Sequence, residues 1–126
     1  MKKLLRALFA TATLIVLLVS LSACSENAPA ALNVNDLRSD PGAFNGTLTV
    51  TGILGAFSQH DPQIFGIMDK SELQCTSPNC NKFYLPVRFA GQVPGYGDEV
   101  VITGSFMPGS MLFAATDLKV VRNHKL

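Results

Sequence analysis

The sequence predicts a small all-β domain of five strands that is preceded by an apolar leader. Two segments, 47–54 and 83–89, alternate apolar and polar side chains with the period of two that a half-buried strand requires. Clusters of glycine and proline, at 91–97 and 108–110, separate further short apolar segments. Strands at this spacing are typical of a small barrel, and a small β-sandwich is the alternative architecture.

The leader has the composition of a secretion signal. Lys2, Lys3 and Arg6 give it a positive start without any acid, and an apolar run follows from 7 to 19. That run is shorter than the ~20 residues of a membrane-spanning helix. The next residues, Leu21-Ser22-Ala23-Cys24, resemble the lipobox at which bacterial lipoprotein precursors are cut and lipidated. The alternative is an ordinary secretory signal in which the cysteine falls by chance.

The resemblance implies that residues 1–23 are a signal peptide and that Cys24 becomes the acylated N-terminus of a lipoprotein in the cell envelope. A single acyl chain binds a membrane weakly, whereas the two or three chains of a lipoprotein hold durably. Residues 24–33 would form the lipidated N-terminus and tether, and 34–126 the folded domain. If the organism is Gram-negative, the resemblance to its lipoproteins implies that Ser25 directs sorting to the outer membrane, facing the periplasm; in a Gram-positive organism the question does not arise.

Charge and residue content disfavour several functional classes. Because the leader holds three of the ten basic residues, the chain after it retains seven against nine acids, a net charge of −2. That balance argues against nucleic-acid binding, which uses a basic patch. The sequence has no paired carboxylates in an acid–base setting, no Ser-His-Asp set and no phosphate-binding loop. We therefore expect a non-enzymatic protein without a cofactor.

The folded domain is expected to begin with a short helical turn and to continue as strands. Asn35 is placed to cap a turn over 36–38, which Pro41-Gly42 ends. The five predicted strands span 47–54, 63–69, 83–89, 99–107 and 111–121. Gly52 in the first strand predicts a bend or bulge, and Pro86 places the third strand at a seam or edge, because proline cannot donate to the ladder. The expected core side chains are Leu48, Val50, Leu54, Phe83, Leu85, Val87, Phe89, Val100 and Ile102.

This strand pattern resembles exported bacterial OB-fold proteins, whose domain is a five-stranded Greek-key barrel. The resemblance rests on three patterns, Gly46-x-Leu48-x-Val50-x-Gly52, Phe65-x-Ile67-x-Asp69 and Gly97-Asp98-x-Val100-x-Ile102-x-Gly104. It covers nearly the whole folded domain. Because these motifs are structural, the resemblance implies a fold and leaves the activity open.

The segment from Cys75 to Cys80 is the strongest candidate for a chemical site. Once Cys24 is used for the anchor, an even pair of cysteines remains in an oxidising compartment, which favours a disulfide. Ser77-Pro78-Asn79-Cys80 suits a type I turn, which could bring the two Cα atoms to the ~5–6 Å that a disulfide needs. Two alternatives stay open. Zinc ligation would need two further ligands, and thiol redox chemistry normally uses a Cys-x-x-Cys spacing.

Neither histidine is placed to complete a zinc site with these cysteines. His60 precedes the second predicted strand and the cysteines follow it, so roughly 20 Å of extended chain lies between them. We expect His60 and His124 to be solvated loop residues. His124 has a second interpretation. The pattern Pro94-x-x-Gly97-Asp98-x-Val100, followed by Phe113-x-Ala115, Leu118 and His124, resembles the end of the haem chaperone of cytochrome c maturation. That exported OB-fold family carries a haem-linking histidine after its last strand, which implies haem binding at His124.

The outward side of the first three predicted strands is the expected ligand face, because OB-folds usually bind their ligands there. Its candidate residues are Thr49, Thr51, Tyr84 and Arg88, of which the threonines and the arginine are expected to be exposed. Hydroxyl groups and a tyrosine suit a peptide or a glycan. A single aromatic ring does not favour nucleic acid, whose bases stack on several aromatic side chains. The alternative is an ordinary solvated sheet face.

Two functions remain open at the level of the sequence. The first, which we favour, is a non-enzymatic envelope module that is tethered to the membrane through Cys24 and binds a protein, peptide or glycan. The second is a metal-, haem- or thiol-handling envelope protein that uses Cys75 and Cys80 or His124.

Overall fold

The computed structural model describes residues 30–126, and this part of the chain is mostly β-strand. The predicted signal 1–23, Cys24 and the tether residues 25–29 lie outside the described residues. The helices and strands are β1 (Leu32–Asn33), α1 (Val34–Ser39), a 3₁₀ helix (Pro41–Ala43), β2 (Leu48–Phe57), β3 (Ile64–Met68), a second 3₁₀ helix (Lys70–Gln74), β4 (Leu85–Phe89), β5 (Asp98–Phe106) and β6 (Phe113–Asn123). Within residues 30–126, no helix is both long enough and apolar enough to span a bilayer.

The strands of the sheet pair in a ring. β2 is antiparallel to both β3 and β5, β3 is antiparallel to β4, and β6 joins β4 in parallel and β5 in antiparallel pairing. β1 adds two residues in parallel beside β2. The all-β class predicted from the sequence is confirmed. The sheet has a sixth strand because Leu32 and Asn33, which the sequence placed in the tether, pair with Val50 and Thr51.

The core lies inside this ring of strands. Its fully buried side chains are Val34, Leu37, Val50, Leu54, Phe65, Ile67, Leu85, Val87, Val100, Ile102 and Phe113. Of the side chains expected in the core, Leu48, Phe83 and Phe89 are only half-buried and pack against its rim. Phe65 and Ile67 of β3, like Leu85 and Val87 of β4, point into the core. Because alternate residues of a strand point to opposite faces, Gly66, Pro86 and Arg88 point outward.

The N-terminal helix begins earlier than the sequence indicates. α1 starts at Val34, and the residue before it, Asn33, donates its amide to the Asp36 carboxylate at 2.9 Å. Asn35, the predicted cap, lies inside the helix, and its amide donates to Asp69 at 2.9 Å. The earlier start brings Val34 into the core, where burial of an apolar side chain stabilises the helix.

The irregularity predicted at Gly52 occurs three residues later. The register between β2 and β3 shifts between Leu54 and Ala56, so Gly55 is the extra residue of the bulge. Gly52 lies instead where two parts of the chain come close together. A Cβ atom there would lie 2.8 Å from the Met68 carbonyl oxygen, which leaves no room for a side chain.

Pro86 lies at a seam, as its missing N–H predicts. It pairs with Gly66 on β3, whereas the pairing of β4 with β6 begins only at Val87. β4 itself starts at Leu85, so Phe83 and Tyr84 precede the strand that was expected to contain them.

Candidate functional site

The four residues predicted to form a ligand face lie in two places. Thr51 is only 8% exposed, so its predicted exposure is wrong; β1 runs beside it, with Asn33 opposite. Thr49 is half-buried, and its hydroxyl lies 3.4 Å from that of Thr103 on β5. The two threonines therefore belong to the part of β2 that is flanked by β1 and β5.

Tyr84 lies outside the core and crosses from β3 to β2. A Cβ atom added at Gly66 would lie 3.0 Å from the Tyr84 Cβ, and one added at Gly55 would lie 2.7 Å from the ring. The two glycines therefore make the space that the tyrosine fills. The side chain remains half-buried, so part of it is accessible while the rest is held against the sheet.

Arg88 is the second predicted site residue on this side of the sheet. Its Nη2 donates to Asp61 Oδ2 at 3.2 Å, and both side chains are about one-third to two-fifths exposed. Its Nε is buried and has no hydrogen-bond partner among the described residues. Because a surface ion pair of this kind contributes only ~0–1 kcal/mol, the guanidinium can turn donors toward a ligand at low cost.

The cysteine pair lies in the connection between β3 and β4. Cys75 and Cys80 are at disulfide distance, with their Cα atoms 6.1 Å apart. The Cys80 amide donates to the Ser77 carbonyl at 3.3 Å, as expected of the predicted turn. The second 3₁₀ helix precedes the pair, and the Cys75 amide donates to the Glu72 carbonyl at 3.1 Å. The pair therefore links two positions five residues apart within a mostly exposed loop.

A cluster of charged groups that the sequence analysis missed surrounds Glu99 at the start of β5. The carboxylate is 5% exposed and contacts three partners. Lys70 Nζ lies 3.2 Å from Oε1, while Arg122 Nε and His124 Nε2 lie 3.0 and 2.7 Å from Oε2. Because an ionised carboxylate only accepts hydrogen bonds, the histidine Nε2–H must be the donor.

These contacts change the acidity of the carboxyl group. The hydrogen bond from His124 holds the pKa of Glu99 below its ordinary value; burial opposes this, and Lys70 and Arg122 reinforce it. A second buried carboxylate, Asp69, accepts hydrogen bonds from the amides of Asn35 and Ser71, each at 2.9 Å. Burial alone would raise the pKa of Asp69, but these hydrogen bonds outweigh it and lower that pKa.

The two histidines have different surroundings. His60 is exposed in the loop between β2 and β3, as expected. The expectation of a solvated His124 is wrong, because its side chain is 21% exposed and is bound to Glu99. Within residues 30–126, no group of three or more His, Cys, Asp or Glu side chains is arranged to hold a metal ion.

Comparison with known proteins adds no further constraint: the chain matches no protein-family model, no curated protein and no solved structure.

Proposed function

We propose that the chain is a lipid-anchored binding module of the bacterial cell envelope, without enzymatic activity. Its folded domain would be a five-stranded barrel of the OB-fold type. The ring formed by β2, β3, β4, β6 and β5 supports this assignment, because strands that pair in a closed circuit leave no long unpaired edge. The anchor would be the diacylated Cys24, for which the lipobox is the support.

The ligand face that we propose is the outward side of β3 and β4, around Tyr84 and Arg88. The observation that carries the proposal is that Tyr84 is held against Gly55 and Gly66 on this side of the sheet, where the partly exposed Arg88 has a surface ion pair with Asp61. A side chain already held in place loses little entropy when a ligand contacts it. OB-folds use the corresponding face for their ligands.

The chemistry of this face suits a protein, peptide or glycan of the envelope. Arg88 can donate to carbonyl, carboxylate or hydroxyl oxygens, and the accessible part of Tyr84 offers apolar contact together with a hydroxyl group. The net charge of −2 after the lipobox does not attract a polyanion, so nucleic acid is not the proposed ligand.

The binding proposal can be tested with the labelled mature protein on arrays of envelope peptides and glycans. Arg88→Ala should weaken binding about tenfold or more, because hydrogen bonds to a charged group contribute about 1.5–3 kcal/mol. Lys119→Ala, which removes an exposed cation from β6, serves as the matched control and should bind like the parent. Equal binding by both variants would refute the proposed face.

The anchor is tested separately through Cys24. Cys24→Ala should abolish incorporation of labelled fatty acid and leave an uncut or soluble product. Unchanged acylation and membrane fractionation in this variant would end the lipoprotein proposal.

One observation favours the second function, that of a metal- or haem-handling protein. A histidine that donates one ring N–H to a carboxylate, as His124 does to Glu99, presents its other nitrogen in the manner of many metal ligands. If this function is correct, metal analysis or haem titration of the purified protein should show binding that His124→Ala removes. Thiol labelling with and without reductant tests the remaining possibility that Cys75 and Cys80 carry redox chemistry.

A further inference from the structure

One end of the domain carries an uncharged apolar groove. The loop 41–46 before β2 and the turn 107–112 between β5 and β6 lie side by side there and enclose about 580 Å³. Phe44 and Phe106 line the groove together with Met107 and Met111. The two methionines are 38% and 37% exposed, so part of each apolar side chain is open to solvent at the groove.

Apart from the exposed Asp40, which precedes Pro41, the two segments that line the groove carry no charged side chain. The sequence has no Asp, Glu, Lys or Arg from 41 to 60, and none from 100 to 116. Acids and bases gather instead at the other end of β5, where Glu99 contacts Lys70 and Arg122. A surface that approaches the turn 107–112 therefore meets apolar and neutral side chains, and Asp40 lies at the opposite margin of the groove.

The chain enters the domain at the groove end. β1 runs parallel to β2 with Leu32 opposite Val50, so the residues before β1 lie toward the start of β2. That start, Leu48, pairs with Gly104, two residues before the end of β5 and the turn that follows it. β1 and β5 flank β2 on opposite sides, which places them about 10 Å apart.

The length of the tether limits how far this end can lie from a membrane. Six peptide units join Cys24 to Ala30, and an extended chain of that length spans at most about 20 Å. With Cys24 lipidated, as the proposed function requires, the groove end of the domain stays close to the bilayer.

We infer that the groove end docks on the lipid bilayer, and that Met107 and Met111 enter the interfacial region of the membrane. This inference rests on the proposed lipid anchor, which supplies proximity, and adds a contact that fixes the orientation of the domain. Methionine side chains are flexible and adapt to irregular apolar surroundings. The absence of charge from the turn means that no ionic group loses its hydration on insertion.

Fluorescence can test this contact because the sequence contains no tryptophan. The mature lipidated Met111→Trp protein is placed in vesicles of phosphatidylethanolamine and phosphatidylglycerol with brominated acyl chains. Its emission should shift to the blue and lose most of its intensity, and added salt should not reverse the effect. Tyr96→Trp, at an exposed position beside the start of β5, is the control and should remain largely unquenched.

The outcomes separate the docking contact from the anchor. Protein that floats with the vesicles while the Met111→Trp emission is unquenched would overturn the docking inference and leave the anchor intact. Protein that fails to float would overturn the anchor and the inference with it. A blue shift without quenching by bromine would mean that protein covers the turn, and this too would overturn lipid docking. Met107→Trp repeats the test from the other end of the turn.

Discussion

The carboxylate of Glu99 lies 2.7 Å from His124 Nε2, and this contact fastens the end of the chain to the start of β5. The backbone repeats the connection, because the His124 amide donates to the Gly97 carbonyl at 2.9 Å. Lys70 extends the cluster to the segment that follows β3. One buried acid thus joins three parts of the chain that are distant in sequence.

We predict that Glu99→Gln lowers the free energy of unfolding by about 1–2 kcal/mol near neutral pH, because hydrogen bonds to a charged acceptor are lost. The pKa of Glu99 lies below its ordinary value of 4.5 in the folded protein. The stabilisation is therefore complete above pH 4.5 and is lost as the pH falls from there toward the folded pKa. Urea unfolding over this pH range should show the parent and the variant converging in acid.

Asp117→Asn is the matched control, since it neutralises an exposed acid on β6. Its effect should stay within about 0.5 kcal/mol at every pH. A Glu99→Gln protein that behaves like this control would show that the cluster contributes nothing measurable.

The cluster could be predicted only in part from the sequence. A hairpin centred on 108–110 brings the acid at 99 near the basic residues at the end of the last strand. The sequence is therefore sufficient to predict an ion pair there. Two register irregularities between β5 and β6 decide that Arg122 is the residue opposite Glu99. The burial of Glu99 depends on Lys70 and His124, whose positions follow from tertiary packing.

Strand periodicity predicted the core better than it predicted the surface. Val50, Leu85 and Val87 are buried as their alternation requires. The same alternation placed Thr51 in solvent, and this was wrong because periodicity identifies a face without revealing what covers it. β1 pairs with this part of β2, and its two residues are too few to produce a periodic signal.

We predict that Leu85→Ala destabilises the domain by about 2–5 kcal/mol, because Leu85 is fully buried and its loss leaves a cavity. A domain of this size has a total stability of only ~5–15 kcal/mol, so the change should be plain in thermal and urea unfolding. Lys119→Ala, on the exposed side of β6, should unfold like the parent. Equal stability of the two variants would mean that the inward side of β4 is assigned incorrectly.

A third prediction concerns Gly104, at the second irregularity between β5 and β6. A Cβ atom there would overlap the Ala114 carbonyl oxygen and lie 2.8 Å from the Ala115 Cα, and backbone atoms cannot yield cheaply. Gly104→Ala should therefore cost about 1–3 kcal/mol or more. Gly42→Ala is the control, because its new methyl group would have no neighbour closer than 3.6 Å. If both variants melt at the parental temperature, the close approach at β5 does not exist in solution.

The last prediction concerns the loop that holds Cys75 and Cys80. We expect the mature protein to carry a disulfide there, so intact mass measured without reductant should show no free thiol at either position. The ring that the bond closes is short, and its entropic stabilisation should lie below the ~3 kcal/mol of a 15-residue loop. Most residues of this segment are exposed, so replacing both cysteines with serine should leave the ring of strands folded. Hydrogen exchange should then accelerate between 71 and 81 while the amides of β5 keep their protection, because the bond restrains the loop and not the core. Two free thiols in the exported protein, or a bound zinc ion in place of the disulfide, would overturn this prediction and favour the metal-handling function.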